Sequence, residues 1–238
     1  MAGSIEVLAL AVACFVGGHF VLSSMDARTA LIRVLGEAAF RGVYSLAAVA
    51  AMVWTVIAYG AAPQIELWHA KMGLTHVPAV LMPFACILAV AGMTTRSVTM
   101  VGGESLARST QPAGGIVTVT RHPFLWAVTL WAAGHIAANG DVASLILFGG
   151  MAVLALGGMA HIDHRRHLAL GADWGPIAMT TSVIPFLAAV QGRTRIDWRG
   201  IGWSRFLGGV TLAIALPFLH PWISGKEIVP QFVLQFFR

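Results

Sequence analysis

The sequence predicts an all-α fold, a polytopic transmembrane helix bundle, and three observations lead there. Hydrophobic residues make up 58% of the 238 and charged residues only 11%, whereas a soluble domain is roughly 45–50% apolar and about 25% charged. The mean hydropathy of +0.79 arises from several long apolar stretches rather than from one. We therefore expect residues 1–238 to form a single membrane domain surrounded by the lipid bilayer, without an independent soluble domain.

Six apolar stretches predict about six membrane spans. A helix crosses ~30 Å of hydrocarbon with about 20 residues, so the fourth and fifth stretches are short as drawn. The tight polar turn Asn139-Gly140-Asp141 makes those two an antiparallel hairpin. Interfacial helical segments are expected in the connections, above all in the loop 161–204. The predicted spans are 5–24, 42–62, 77–93, 124–138, 143–160 and 206–223.

The basic residues predict the orientation, because Lys and Arg gather in loops that stay cytoplasmic. Of the 15 Lys and Arg residues, 12 fall in the first, third and fifth loops, so with six spans both termini face outward. Membrane topology therefore accounts for the formal net charge of +5. Because no nucleic-acid-binding surface is needed to explain the basic residues, we expect no nucleic-acid partner. The twelve are Arg28, Arg33, Arg41, Arg96, Arg108, Arg121, Arg165, Arg166, Arg193, Arg195, Arg199 and Arg205; Lys71, Lys226 and Arg238 lie on the other side.

Sequence motifs exclude several classes of function. No Cys-x-x-Cys-His segment is present, which excludes covalent c-type haem attachment. Cys14 and Cys86 lie in apolar runs, where they fit small buried side chains better than a disulfide or a zinc site. Hydrolases and ATP-driven transporters are disfavoured, because the sequence has no nucleophile elbow, phosphate loop, His-Glu-x-x-His or dinucleotide fingerprint.

Two histidines lie inside predicted spans, His19 in the first and His135 in the fourth. A neutral imidazole is costly in hydrocarbon unless its nitrogens are hydrogen-bonded or ligate a metal. Each follows a glycine, which lets a neighbouring helix or a flat macrocycle approach the backbone. Two interpretations stay open: hydrogen bonds between helices, or axial coordination of a b-type haem.

The depths of the two histidines differ by about 9 Å at ~1.5 Å per residue, a difference that a tilted haem would absorb. Nearer the cytoplasmic side, His122 and His161 are the reserve partners for His19. Ser23, one turn along from His19, is placed either to hold the imidazole or to bond the backbone instead.

Polar residues also cluster at two loop edges. In Thr120-Arg121-His122-Pro123 we expect Thr120 to cap the fourth span and Arg121 to snorkel to headgroups, with His122 interfacial, ligating or relaying protons. His161, His164 and His167 recur every three residues, which suits either a solvated basic face or a metal site.

A set of short motifs covers roughly residues 15–190. These motifs are His19 followed by Ser23-Ser24 and Arg28, Arg41-Gly42-Val43-Tyr44-Ser45-Leu46, Thr120-Arg121-His122-Pro123, Leu130-Trp131-Ala132-Ala133-Gly134-His135, Asn139-Gly140-Asp141, Asp163-His164-Arg165-Arg166 and Thr181-Ser182-Val183-Ile184-Pro185-Phe186. Together they resemble the NnrU family of bacterial membrane proteins. That family is related to the 15-cis-zeta-carotene isomerase of plants and cyanobacteria, an integral membrane b-haem enzyme.

The resemblance implies a haem b site in the inner (cytoplasmic) membrane of a bacterium, with His19 and His135 as the metal ligands. If haem is present, Arg165 and Arg166 are candidates to pair with its propionates, because guanidinium binds carboxylate bidentately. The isomerase has a cysteine three residues before its second histidine, thought to exchange with it as ligand, whereas this chain has Ala132. The family name implies an association with nitrite and nitric oxide reduction, that is, with denitrification.

Three functions follow as alternatives, and no catalytic residue is assigned. The first is a haem-b membrane protein in redox or nitrogen-oxide metabolism. The second is a haem-dependent cis-trans isomerase of a lipophilic polyene. The third is a cofactor-free membrane assembly factor whose histidines make hydrogen bonds between helices.

The orientation gives a testable prediction. An alkaline-phosphatase fusion after Arg238 should be active, and one near Arg195 inactive, because the basic loops stay in the cytoplasm. Reporter activity in whole cells measures this directly. The reverse pattern of activity would reject the orientation.

Overall fold

The computed structural model describes residues 3–69, 72–109 and 113–229, which are predominantly helical. Apart from one isolated bridge between Glu66 and Asp141, these ranges contain no β-structure. The all-α prediction is therefore confirmed. Lys71 and Arg238, both used in the orientation argument, lie outside the described residues.

Helices follow one another closely along the chain, with short 3₁₀ turns at Glu104–Arg108, Gly115–Thr118 and Gly171–Asp173. In the described part the α-helices are α1 Ile5–Ser23, α2 Met25–Leu35, α3 Glu37–Ala61, α4 Met72–Thr75, α5 Val77–Thr94, α6 Pro123–Asn139, α7 Val142–Leu170, α8 Trp174–Thr180, α9 Leu187–Val190, α10 Trp198–Ile201 and α11 Trp203–Ser224.

The long apolar helices are those of a multi-pass membrane protein. Within the described ranges, five segments are long and apolar enough to cross a bilayer: Ile5–Ser23, Glu37–Ala61, Gly73–Thr94, Val142–Thr180 and Trp203–Ser224. The predicted fourth span forms α6, whose 17 residues reach about 25 Å at 1.5 Å per residue. The helix of the predicted fifth span is longer than predicted, because α7 continues to Leu170, where Gly171 (φ 53°) ends it. The first ten residues of the predicted loop 161–204 are therefore helical.

The chain divides into two compact units, and α5 and α6 contribute residues to both. The first unit comprises Met1–Ala79 and Val128–Gly175, and the second Val80–Ala127 and Pro176–Arg238. In the first, the exposed helix α2 joins α1 to α3 and has no buried residue. Arg28 of α2 lies 5.5 Å over the Phe40 ring and contacts Glu37, which also pairs with Arg41.

Glycines of α7 allow α1 to pack closely against it in the first unit. A Cβ atom at Gly150 would clash with Val12, and one at Gly157 would lie 2.8 Å from Phe20. Since residue numbers rise together along the two helices, α1 and α7 run parallel. The core of this unit is the apolar cluster Leu8, Ala11, Val12, Phe15, Ala58, Ala132, Ala143, Leu147, Phe148 and Met151.

The second unit brings the segment before α6 against the segment after α8. Arg121 is 7% exposed; its Nε donates to Thr181 Oγ1 at 2.9 Å, and its backbone N–H donates to Ser182 O at 2.8 Å. The prediction that Arg121 snorkels to headgroups is therefore wrong. Its guanidinium instead finds hydroxyl and carbonyl acceptors within the protein, and Thr120 likewise donates to Val183 O at 2.7 Å.

A carboxylate ties the loop before α6 to the start of α10. Asp197 accepts hydrogen bonds from the amides of Gly115 and Gly200, each at 2.8 Å. These bonds favour the charged form and hold the pKa of Asp197 below its usual range. This loop contact is therefore made by an ionised carboxylate near neutral pH.

The contact between α5 and α11 in the second unit gives a stability prediction. A Cβ atom at Gly209 would lie 2.5 Å from Ile87 Cα, whereas one at the adjacent Gly208 would lie 3.4 Å from Val90 Cγ1. Gly209→Ala should therefore lower the free energy of unfolding by about 1–3 kcal/mol through overpacking. Gly208→Ala, the matched control, should change it by less than about 0.5 kcal/mol. Equilibrium unfolding in detergent compares the two, and equal effects would contradict the packing.

Candidate functional site

His19 lies four residues before the end of α1 and is half-buried. Its Nδ1 is 2.7 Å from the carbonyl oxygen of Phe15, one turn earlier. The Phe15 ring lies 4.5 Å from the imidazole, and the Tyr44 ring approaches it edge-on at 5.7 Å. The imidazole is thus held in place by α1 itself and by one aromatic ring of α3.

His135 occupies the corresponding position in α6, four residues before that helix ends. Its Nδ1 is 2.8 Å from the carbonyl oxygen of Trp131. The imidazole stacks on Phe148 of α7, with ring centres 4.6 Å apart and planes inclined by 27°. Phe148 is 5% exposed, so His135 rests against a buried ring of the core.

The two histidines share one hydrogen-bonding arrangement. A carbonyl oxygen only accepts, so Nδ1 of His19 and of His135 carries the proton in these bonds. The neutral tautomer that results has its lone pair on Nε2, the nitrogen that can ligate a metal. Metal-binding histidines characteristically donate the other ring N–H to a carbonyl or carboxylate, which fixes the tautomer and the ring orientation.

Helix α7 shows how the two imidazoles are placed along the first unit. His135 contacts Phe148, whereas Phe20, next to His19, contacts Gly157. Nine residues of α7 correspond to about 13 Å along the axis. The bonds to carbonyls one turn earlier tilt each ring toward the start of its own helix. Because α6 runs opposite to α7 and α1 runs parallel to it, the two imidazoles tilt in opposite directions along the helix axes.

A groove between α1 and α3 opens beside His19. It encloses about 60 Å³ and is lined by Cys14, Phe15, Gly18, His19, Leu22, Tyr44, Ala47, Ala48 and Ala51. Most of its lining residues are small, and Cys14 and Ala47 are exposed at its margin. Its volume is well below the roughly 300–1,000 Å³ of typical ligand pockets, so a larger flat ligand would have to extend from its open side.

Ser23 links His19 to His161 across α1 and α7. Ser23 Oγ donates to the backbone oxygen of His19 at 2.5 Å, so the serine bonds the backbone rather than the imidazole. His161 Nε2 lies 3.0 Å from Ser23 O and 3.1 Å from Ser23 Oγ. Since the carbonyl only accepts, Nε2 of His161 carries its proton and is engaged in joining the helices.

The remaining predicted site residues fall in different surroundings. His122, 3% exposed, belongs to the second unit. Arg166 is 3% exposed on α7, and the neighbouring Arg165 is half-buried. Over residues 3–69, 72–109 and 113–229, no three His, Cys, Asp or Glu residues are grouped to hold a metal ion. The structure thus gives no support to a metal site at His161, His164 and His167.

A buried polar cluster lies at the opposite end of α3 and α7 from His19. Ser144 Oγ donates to Asp141 at 2.7 Å, and the Tyr59 hydroxyl lies 2.9 Å from Ser144 Oγ. Asn139 Nδ2 donates to the same oxygen at 3.0 Å. Since Ser144 gives its proton to the carboxylate, Tyr59 donates to Ser144. The Tyr59 ring meets Phe148 edge-on at 6.1 Å, so the cluster supports the ring on which His135 rests.

Two histidines of this unit, His19 and His135, carry the kind of donor atom that can hold a haem iron. Both are half-buried, they lie on different helices, and Nδ1 of each is engaged with the carbonyl oxygen one turn earlier. Iron in membrane b-type sites takes neutral imidazole nitrogens of this kind. The groove at His19 is lined by small side chains, which leave its open side accessible to a planar group.

The apolar helices, with two histidines held inside the first unit, are those of a multi-pass helical membrane protein. A family model described as "NnrU protein" matches residues 7–228. The chain therefore belongs to the NnrU family.

Two further comparisons bear on this chain. It is 28% identical over 116 residues to "15-cis-zeta-carotene isomerase, chloroplastic" of Arabidopsis thaliana; the match covers 48% of this chain and 32% of the relative. The chain thus spans about a third of the length of this curated relative. No solved structure matches.

Sequence reasoning missed the aromatic and hydroxyl neighbours of the two histidines. Tyr44 was visible only as part of a motif, and Tyr59 and Ser144 lie 85 residues apart. Phe148, which contacts Tyr59, Trp131 and His135, has no distinguishing sequence signal. Its central position follows only from the packing of α3, α6 and α7.

Phe148 gives the prediction of this subsection. Phe148→Ala should lower the free energy of unfolding by about 3–5 kcal/mol, because it removes a buried ring and leaves a cavity. Leu145→Ala, on the same helix but 42% exposed, should cost less than about 1 kcal/mol. Detergent-based unfolding followed by tryptophan fluorescence measures both. A small effect of Phe148→Ala would show that the ring is not central.

Proposed function

We propose that this NnrU-family protein binds one b-type haem through His19 and His135 and acts in redox or nitrogen-oxide metabolism. One observation carries the proposal. Both histidines donate Nδ1 to the carbonyl four residues earlier, at 2.7 and 2.8 Å, which keeps the Nε2 lone pair for a metal. The two imidazoles are supplied by different helices of the first unit, α1 and α6.

The chain's own residues would bind and orient the group. The carbonyls of Phe15 and Trp131 fix the two imidazoles, and Phe148 limits the rotation of His135 by stacking on it. Arg165 and Arg166 supply positive charge on α7 for propionate carboxylates. A bound haem would supply one-electron exchange.

The nitrogen-oxide context comes from the family resemblance, which associates these proteins with nitrite and nitric oxide reduction. In this proposal the protein supports denitrification from the bacterial inner membrane. The few ionisable residues inside its spans suit electron exchange or small-ligand binding better than hydrolysis, which needs a positioned nucleophile or activated water.

A second candidate is a haem-dependent isomerase of a lipophilic polyene. The observation favouring it is the 28% identity to the Arabidopsis protein whose name describes such an isomerase. A groove that opens beside His19 between two apolar helices also suits a ligand arriving from the bilayer. Ala132, fully buried in the core, offers no atom for the ligand exchange that the isomerase's cysteine implies. Cis–trans conversion of an added polyene on reduction separates this candidate from the first.

The ligand assignment predicts the spectra of three variants. Detergent-purified protein should show a Soret band with sharp reduced bands, as two strong-field imidazoles give. His19→Ala and His135→Ala should each alter that spectrum, and the double variant should lose haem. Absorption spectra of oxidised and dithionite-reduced protein measure all three.

The control is His69→Ala, since that side chain is 87% exposed; it should keep haem and an unchanged spectrum. If both single variants bind haem with an unaltered spectrum, the assignment is wrong and His122 and His161 become the candidates. If the wild-type protein purifies without a Soret band and takes up no added haem, the cofactor-free assembly factor is the better interpretation.

A further inference from the structure

The loop of residues 182–190, which includes the short helix α9, exposes apolar side chains although it lies outside the long apolar helices. Ile184 is 56% exposed, Phe186 49% and Val190 83%, whereas Ala188 is buried. The loop therefore has an inner face that packs in the second unit and an apolar outer face. Three large apolar side chains so close together are unfavourable in water and mark an interaction surface.

Backbone groups of the 182–190 loop find their hydrogen-bond partners inside the protein. Val183 O accepts from Thr120 Oγ1 at 2.7 Å and from Trp126 Nε1 at 2.8 Å. The amide of Phe186 donates to Val119 O at 2.8 Å. Other bonded groups are the carbonyl oxygens of Ser182, Ile184 and Phe186 and the amide of Ile184. Non-helical backbone is tolerated in lipid when the protein satisfies it in this way, since no water is there to do so.

Contacts with α6 and α11 fix the level of the loop in the second unit. Trp126 is the fourth residue of α6, so Val183 lies beside the first turn of that helix. Asp197 bonds the segment before α6 and comes shortly before α11, so both helices begin at this end. Trp198 and Trp203 are highly exposed there. Because tryptophans are enriched at the level of lipid headgroups, the loop lies at the membrane interface.

The charged residues around the loop are of the sign that anionic lipids attract. From 174 to 196 the sequence has no acidic residue and two basic ones, Arg193 and Arg195. Arg193 Nη1 donates to Thr181 O at 2.9 Å, which closes the loop. Arg195 and Arg199 follow it on the surface of the protein. An apolar face next to exposed arginines is typical of segments that lie in an anionic membrane surface.

The backbone of Phe186 also favours an apolar environment for its ring. Within the part of the chain that the structure describes, it is the one non-glycine residue with a positive φ, 64°. This left-handed conformation is unfavourable for a bulky side chain, and a half-exposed ring in water would add to the cost. Contact of the ring with acyl chains would instead offset it.

We propose that the 182–190 loop inserts into one face of the bilayer, with its outer side chains against acyl chains and Arg195 and Arg199 at anionic headgroups. The loop is then a membrane contact of the second unit in addition to the spans. The inference goes beyond the proposed function and does not depend on it, since His19 and His135 belong to the first unit.

Spin labelling of the full chain in phospholipid vesicles tests the depth of the loop. In a Cys14→Ala, Cys86→Ala background, one nitroxide is attached at Val190→Cys or, as a second loop position, at Ile184→Cys. Power saturation then compares collisions with oxygen, which concentrates in lipid, and with a nickel chelate, which stays in water. Oxygen should be favoured over the chelate at both positions, because both side chains face acyl chains.

Two exposed positions calibrate the comparison. Ile57→Cys, on the span α3 and 64% exposed, should favour oxygen. Ser105→Cys, exposed between Glu104 and Arg108 in the same unit as the loop, should favour the chelate. A chelate preference at both loop positions, as at Ser105, would overturn the proposal. Low access to both reagents, or spin–spin broadening at Val190, would also overturn it, because a protein or a second copy would then cover the loop.

The headgroup contact has its own arm. Adding phosphatidylglycerol to phosphatidylcholine vesicles should increase the oxygen preference at Val190, and Arg195→Gln with Arg199→Gln should abolish that increase. An increase that persists in the double variant would refute the contact with anionic headgroups.

A second measurement uses the unmodified protein, so that the result does not depend on cysteine variants. Photolysis of a phosphatidylcholine that carries a diazirine in its acyl chain should label the 182–190 loop as well as the spans. Mass spectrometry of the peptides identifies the labelled residues. Label in the spans but none in the loop would contradict insertion of the loop.

Discussion

The close approach of α1 to α7 is the contact on which the first unit depends. Two glycines of α7 allow it, since any side chain at Gly150 or Gly157 would meet Val12 or Phe20. In a bilayer, helices associate through close packing and hydrogen bonds rather than through exclusion of water. The bond between His161 and Ser23 lies at one end of this contact, and the core around Phe15 and Phe148 lies along it.

Several polar groups inside the first unit are satisfied by the backbone of their own helices. His19, His135 and Thr55 all bond the carbonyl four residues earlier. This arrangement removes the cost of a buried donor without needing a partner on another helix. The bond occupies only one of the two nitrogens of each imidazole, which is why the same local feature is compatible with both a structural and a metal-binding histidine.

The sequence predicted the helical class and most of the spans, because hydrophobic length is a strong signal. It placed the turn at Asn139-Gly140-Asp141 correctly, where Gly140 has φ 68° and Asp141 caps α7. The burial of Arg121 was not predictable, because its acceptors at Thr181 and Ser182 are 60 or more residues away. His19 and His135 could be singled out from the sequence, because they are ionisable residues inside apolar stretches. The aromatic rings and hydroxyls around them could not, because those neighbours depend on which helices pack together.

The first unit is discontinuous in the chain, since it joins Met1–Ala79 to Val128–Gly175. During synthesis at about 5–20 residues per second, the intervening 48 residues (80 to 127) take roughly 2–10 s to emerge. For that time α1 and α3 lie in the membrane without α7. The glycines of α7, the residue that bonds Ser23 and the residue that bonds Tyr59 have not yet been synthesised. Half-buried polar groups of α1 and α3 then face lipid, and this is the interval in which insertion factors or quality-control proteases would recognise the chain.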